Sequence, residues 1–299
     1  MDSLIHIPVL QKEVLKYLDP KPDENFIDCT TGEGNHTFAI LEKNGPEGKV
    51  LGIEWDPEIF KNTKYRIQNT KYRKRIILVC ANFINLSEIV RQYNFRAVQG
   101  ILFDLGMSSW HLKESKRGFS FLQNEPLDMR YNWKNPLTAE KIVNYWSVQE
   151  IEKILKEYGE EKFAKRIAEE IVKTRRIKPI QSTFHLVEII RKSVPGNYER
   201  GRIHPATRTF QALRIAVNDE LNNLEKTLTQ TLKILRRRGR LVIISFHSLE
   251  DRIVKNFLKN QTKEELLQIL TKKPIRPSQE EIKVNPRSRS AKLRAAIKI

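Results

Sequence analysis

The sequence predicts an α/β fold: a mostly parallel sheet with helices on both faces and a helical domain inserted after the fourth strand. Three observations carry this. Apolar, strand-like runs alternate with helical patterns through the first hundred or so residues, as right-handed crossovers between parallel strands require. Carboxylates close three of those runs, at Asp28, Glu54 and Asp104, and sheets of this kind bind ligands at the carboxyl ends of their strands. After Asp104 more than a hundred residues pass before the next strand-like run, too many for one crossover helix.

Taken in order, Val9, Leu10, Val14, Leu15 and Leu18 have helical spacing. The strand-like runs are Phe26–Cys29, Lys49–Glu54, Arg75–Cys80, Val98–Asp104 and Arg240–Phe246, with helical patterns between the first four such as Glu58–Gln68 and Leu86–Tyr93. Ile142–Tyr158 and Phe163–Lys173 read as amphipathic helices, and Thr183–Arg191 as another between the breakers Pro179 and Pro195-Gly196. Thr209–Leu235 reads as the crossover helix returning to the sheet. The expected domains are therefore 1–112 joined to 215–299, with 113–214 as the mainly helical insert. In the Pro- and Arg-rich tail, Asn285–Ser290 reads as a turn before a final strand.

At 299 residues, 39% hydrophobic and 30% charged, the composition is that of a soluble globular protein. No uncharged apolar run approaches the roughly 18 residues of a spanning helix. Met1–His6 lacks the basic-then-apolar pattern of a secretory signal. Cys29 and Cys80, each in a strand-like run, are expected as buried, reduced thiols of a cytoplasmic protein, not as a disulfide or nucleophile. No cluster with metal-ligand spacing is visible. The net charge of +18 is unevenly placed. Residues 1–112 hold 14 basic and 14 acidic side chains, whereas 113–299 hold 40 and 22. A neutral ligand-binding part beside a cationic part fits a polyanionic substrate, most simply nucleic acid; a merely solubilising surface would carry the same charge.

The run Phe26-Ile27-Asp28-Cys29-Thr30-Thr31-Gly32-Glu33-Gly34-Asn35-His36 reads as a strand turning sharply into a helix. Its glycines would let backbone N–H groups approach a ligand. Glu54, twenty residues past Gly34, stands where an α/β nucleotide site holds ribose hydroxyls. A dinucleotide fingerprint wants a third glycine, and Thr37 occupies that place. An S-adenosylmethionine site needs only a small turn, an acid near the methionine amine and an acid on the ribose, which Asp28, Gly32, Gly34 and Glu54 supply. Gly-x-Gly alone could be an ordinary tight turn, so the converging carboxylates carry the reading.

Seven motifs then follow in order: Asp104-Leu105-Gly106-Met107-Ser108-Ser109, Arg117-Gly118-Phe119-Ser120-Phe121, Pro126-Leu127-Asp128-Met129-Arg130, the run Tyr158–Ala168, His204–Gln211, Ile244–Arg252 and Asn285–Ser290. With them the chain, from about His6 to its end, resembles the bacterial 16S rRNA cytosine-N4 methyltransferase family known as RsmH or MraW. The resemblance implies a class I (Rossmann-like) S-adenosylmethionine-dependent fold with a helical insert after the fourth strand. It also implies methylation of the exocyclic amino group of cytosine 1402 in 16S rRNA of the small ribosomal subunit. Family cofactor contacts carry over onto Gly34, Asn35, His36, Glu54, Phe83, Asp104 and His111. Asn35 replaces a common glycine there, Glu54 an aspartate and His111 a glutamine.

Methyl transfer from a sulfonium is an in-line displacement, so alignment and exclusion of water are the protein's main tasks. Cytosine's amino nitrogen is a poor nucleophile, its lone pair delocalised into the ring; an acceptor on its N–H would help. The Asn/Asp-Pro-Pro-aromatic motif of many amino-methyltransferases is missing here. The acceptor candidates are Asp104, the carbonyls after it, and the Ser108 or Ser109 hydroxyls. Asp104 either does this or positions the cofactor amine; a helix N-cap is its structural alternative. His247, just past the fifth strand, is a candidate proton acceptor or a capping residue. Trp110, Phe119 and Phe121, near Lys113, Lys116 and Arg117, are candidates for stacking on a flipped base, with Trp110 and Arg117 taken as RNA contacts. Arg200, Arg202, Arg208, Arg287 and Arg289 are candidate phosphate contacts. A DNA amino-methyltransferase, a nonenzymatic RNA-binding assembly factor and a nicotinamide oxidoreductase are the competing functions. The missing Pro-Pro-aromatic motif, the intact acid set and Thr37 count against them in turn. A homodimer is left open.

Overall fold

The computed structural model describes residues 8–196, 198 and 204–299, so Arg200 and Arg202 lie outside the described residues. Seven strands, β1 (Asn25–Asp28), β2 (Val50–Glu54), β3 (Ile76–Cys80), β4 (Val98–Asp104), β5 (Leu235–Ser245), β6 (Leu267–Ile269) and β7 (Lys292–Lys298), form one sheet in the order β3-β2-β1-β4-β5-β7-β6. The first five run parallel, and β7 lies antiparallel between β5 and β6. The mostly parallel sheet is the expected one; β6, three residues long, left no readable alternation.

Adjacent residues of the central strands serve two separate cores. Ile27, Ile101, Phe103, Leu241 and Ile243 pack into one, and Phe26, Leu102, Val242 and Ile244 into the other. Burial on both faces is why these strands read as continuous apolar runs.

By contacts the chain divides into a unit of residues up to Gly106 with Leu221–Ile299, and a second of Met107–Glu220. The expected boundaries, 112/113 and 214/215, each fall six residues from these. The expected helix Thr209–Leu235 is two helices, Ala206–Asn218 and Glu220–Ile234, because Asp219 adopts a left-handed conformation at φ 50°. The first of these belongs to the second unit. Ile142–Tyr158 is likewise two helices, Ala139–Tyr145 and Val148–Glu157. Ser147 accepts from the Glu150 N–H at 3.2 Å while Glu150 accepts from the Ser147 N–H at 2.7 Å. That Ser-x-x-Glu capping box starts a new helix in mid-pattern. The second unit's helices enclose a core of its own, around Ile151, Leu155, Ile167, Ile171 and Leu213.

Cys29 is buried as expected, but Cys80 is exposed. It closes β3, the edge strand, beyond the reach of either core. Among the described residues no helix is long and apolar enough to cross a membrane.

Candidate functional site

The turn after β1 is held from beneath and from one side. Thr31 N–H donates to Ile53 O at 2.9 Å, and Gly34 N–H to Thr31 O at 2.8 Å. Gly32 and Gly34 have φ of 52° and 85°, the left-handed region that favours glycine. Helix Pro57–Gln68 clamps the turn: Thr63 Oγ1 donates to Gly32 O at 2.7 Å, and Arg66 donates to Glu33 O and Asn35 Oδ1 at 2.8 and 3.0 Å. Gly34, which has no side chain to cap with, starts helix Asn35–Lys43. The helix dipole and its N–H groups make that end receptive to an anionic or carboxylate group.

The three carboxylates close β1, β2 and β4, which are neighbours in the sheet. Equivalent in sequence, they differ in what they already hold. Asp28 is 1% exposed; its carboxylate accepts from Thr37 Oγ1 at 2.7 Å and Thr30 N–H at 3.2 Å. Burial raises its pKa above the usual carboxylate value. It braces the turn to the helix. Glu54 accepts from Gly32 N–H and Asp56 N–H, both at 2.8 Å. Burial pushes its pKa up to about 7 despite those bonds. Two of the roughly four lone-pair sites of a carboxylate are thereby filled.

Asp104 is the least committed. Its backbone N–H donates to Thr30 Oγ1 at 2.6 Å, which fixes the end of β4. One side-chain oxygen lies 3.5 Å from His36 Nε2, an ion-pair distance but long for a hydrogen bond. The other is buried with no hydrogen-bond partner among the described residues, and so are both ring nitrogens of His36. Burial alone would lower the His36 pKa, yet Asp104, then Asp28 and Glu281, hold it above its ordinary value. A buried polar group without a partner costs about 1–3 kcal/mol, so this pair is arranged for a visitor able to donate and accept.

Phe83 opens the short turn after β3 and packs edge-on to Phe103, centroids 5.7 Å apart. His247 caps helix Ser248–Lys263: Nδ1 accepts from Glu250 N–H at 3.4 Å and Nε2 lies 3.2 Å from Glu250 Oε1. The structure thus gives His247 the capping role. Arg287 and Arg289 are exposed on the turn Pro286–Ser290.

Within the second unit, Ser108 caps helix Ser109–Lys113, its hydroxyl accepting from His111 N–H at 3.3 Å while its N–H donates to His111 Nδ1 at 3.2 Å. His111 is buried, its ring 4.9 Å from those of both Phe119 and Tyr131. Ser108 and His111 therefore form a reciprocal cap. The Arg117 guanidinium lies 5.2 Å from Trp110 and 5.6 Å from Trp133, and donates to the carbonyls of Arg130 and Tyr131. It braces a loop and lies over part of the half-buried Trp110. Phe119 is core; Phe121 stacks on His204, centroids 4.6 Å apart. Arg208 donates to Glu160 O at 2.8 Å.

Sequence reasoning missed the hydroxyls of Thr30, Thr37 and Thr63; Thr30, Thr31 and Thr37, three threonines in the eight residues around the Gly-x-Gly turn, are a readable sign of side-chain bracing, whereas Thr63 arrives from a later helix. It also missed Glu281, which accepts from Leu10 N–H at 2.8 Å and helps to raise the His36 pKa.

Residues 3–299 match the model of the MraW methylase family. A ribosomal RNA small subunit methyltransferase H of Heliobacterium mobile is 46% identical over 98% of this chain and 99% of its own. Another, of Thermosipho melanesiensis, is 48% identical over 98% of each. Among solved structures, a protein described as an rRNA methylase from Clostridium thermocellum superposes with a TM-score of 0.51 at 13% identity, covering 99% of this chain and 100% of that one; that similarity speaks for the fold.

Proposed function

The chain belongs to the MraW methylase family, and from that premise we propose that it methylates the N4 amino group of a cytosine, cytosine 1402, in 16S rRNA of the small ribosomal subunit. The His36–Asp104 ion pair at the carboxyl edge of the sheet, whose Asp104 Oδ1 and imidazole nitrogens have no hydrogen-bond partner among the described residues, carries this reading.

S-adenosylmethionine supplies the reactive methyl group on a sulfonium. The residues present fit its groups. Glu54 retains lone pairs for the ribose hydroxyls, the N-terminus of helix Asn35–Lys43 suits its carboxylate, and Asp104 Oδ1 is an acceptor without a partner among the described residues. The turn is rigid before any ligand arrives, since Asp28, Thr63 and Arg66 brace it. That prearrangement lowers the ordering cost of binding.

Asp104 then either accepts from the cytosine amino group, favouring a pyramidal nitrogen, or orients the cofactor amine. His36, whose pKa its carboxylate neighbours raise, lies 3.5 Å from Asp104 and donates to that oxygen when protonated. His247, Ser108 and His111 support helices and take no proton in this reading. The second unit offers the RNA its basic surface, with Arg208 at its edge; Arg287 and Arg289 add exposed charge on the first.

Small subunits from a strain lacking the gene, incubated with the protein and methyl-labelled S-adenosylmethionine, should yield N4-methylcytidine on nucleoside mass spectrometry. Label in another nucleoside, or none, would refute the assignment.

A further inference from the structure

Three consecutive arginines, Arg236, Arg237 and Arg238, stand outside the site described above, and the fold displays them deliberately. In the parallel ladder Val98 pairs with Leu235 and Gly100 with Arg240. One residue on β4 therefore faces four on β5, and those four loop out of the sheet as a large bulge. Arg238 adopts φ 64°, a left-handed conformation that costs a non-glycine residue about 1–2 kcal/mol. A Cβ on Gly239 would come within 2.8 Å of the Arg236 carbonyl, so the turn tolerates only glycine there. All three arginines are exposed, and none makes a side-chain hydrogen bond or ion pair among the described residues.

The surrounding chain adds charge of the same sign. Arg96, two residues ahead of β4, and Lys233, at the end of the helix before β5, are exposed. No Asp or Glu occurs in residues 89–103 or 226–249. Bulges in natural sheets re-aim side chains and are kept for a purpose. Here a strained one holds three guanidinium groups, the side chain best suited to bidentate contact with phosphate, with no ion pair among the described residues; Asp19, an acid near this edge, is taken by Arg240 at 3.0 Å.

We propose that this bulge, with Arg96 and Lys233, is a second RNA-phosphate contact of the molecule, resting on the rRNA reading given above. It lies at the amino ends of β4 and β5, whereas Asp104 closes the carboxyl end of β4. Six residue steps at about 3.3 Å place the two edges about 20 Å apart. The contact therefore grips an RNA segment other than the one that carries the target base. It sets affinity and register and takes no part in the transfer.

The test is a triple variant, Arg236→Gln, Arg237→Gln and Arg238→Asn, the last keeping a residue that accepts left-handed geometry, beside a triple lysine variant. Rapid filter binding to 16S rRNA is measured from 50 to 300 mM salt, with turnover on small subunits and calorimetric binding of S-adenosylhomocysteine. Each lost phosphate contact should lower the slope of log affinity against log salt by about 0.7–0.9, so the neutral variant, short of three, should lose about 2–3. Its KM should rise about tenfold with kcat and S-adenosylhomocysteine affinity unchanged, the mark of uniform binding lost away from the reacting atoms. The lysine variant should restore most of the slope. An unchanged slope, or one that lysines fail to restore, would overturn the proposal. So would arginine-dependent capture by phosphatidylglycerol vesicles with RNA binding unaltered. A wild-type protein that binds 16S rRNA with the steep slope yet methylates no cytosine would sink the functional reading and leave this contact standing.

Discussion

Replacing Glu54 by glutamine separates the two tasks that the structure gives this side chain. Burial raises its pKa from 4.5 to about 7. The folded chain therefore binds this proton more tightly than the unfolded chain does. Between pH 4.5 and about 7 the unfolded state carries fewer protons at this site, so stability falls as pH rises through that window and is flat above it. About two and a half pH units correspond to about 3 kcal/mol, a sizeable part of the 5–15 kcal/mol of a typical domain. Glutamine cannot titrate, but its NH2 must face one of the two N–H groups, Gly32 or Asp56, that the carboxylate accepts. That mismatch costs about 1–3 kcal/mol at every pH. In urea melts the variant should be the less stable protein at pH 5. By pH 8 the gap should close by about 3 kcal/mol and can reverse. Ribose hydroxyls donate to the ionised form, so the wild type should bind S-adenosylhomocysteine about tenfold more weakly at pH 6 than at pH 8 and release a proton on binding. The variant should bind weakly and without that pH dependence. Titration calorimetry at several pH values, in buffers of differing ionisation enthalpy, reads both effects. Parallel pH profiles for the two proteins, in stability and affinity alike, would refute the reasoning.

Three further outcomes follow from the same geometry. Asp104→Asn removes the chief charge that raises the His36 pKa, so the imidazole should titrate lower by NMR and methyl transfer should fall at least a hundredfold, an order of magnitude typical of lost general acid–base help; an unmoved His36 or normal turnover would contradict this. Gly34→Ala introduces a Cβ at φ 85° and 3.1 Å from Phe38 Cε2, and should cost about 1–2 kcal/mol in thermal stability together with cofactor affinity. Ser147→Ala breaks the capping box in the second unit and should cost about 1 kcal/mol while S-adenosylhomocysteine binding by calorimetry stays unchanged.

Much of the fold was legible because its signals are local. Apolar runs marked β1 to β5 within a residue or two at most ends, and carboxylates marked where they stop. The breaks at Ser147 and Asp219 were obscured by apolar periodicity that continues across them; only the Ser-x-x-Glu spacing betrayed the first. Arg117 shows the limit for charged residues. In sequence it sits in a basic, aromatic stretch like an RNA contact, and in the fold it donates to Arg130 O and Tyr131 O. Arg236–Arg238 show the reverse, an unremarked run that the bulge turns outward.

The sequence by itself determined that three acids would end neighbouring parallel strands beside a glycine turn, because strand periodicity and turn chemistry act between residues close along the chain. How far each of those acids remains open to a ligand was decided by tertiary structure alone. Thr37 and Thr30 brace Asp28, Gly32 and Asp56 fill only two of the Glu54 lone-pair sites, and Thr30, seventy-four positions away, ties the Asp104 backbone but leaves one side-chain oxygen without a partner among the described residues. A hydrogen bond is satisfied by whatever the fold brings within 3 Å, and no periodicity in the sequence records that.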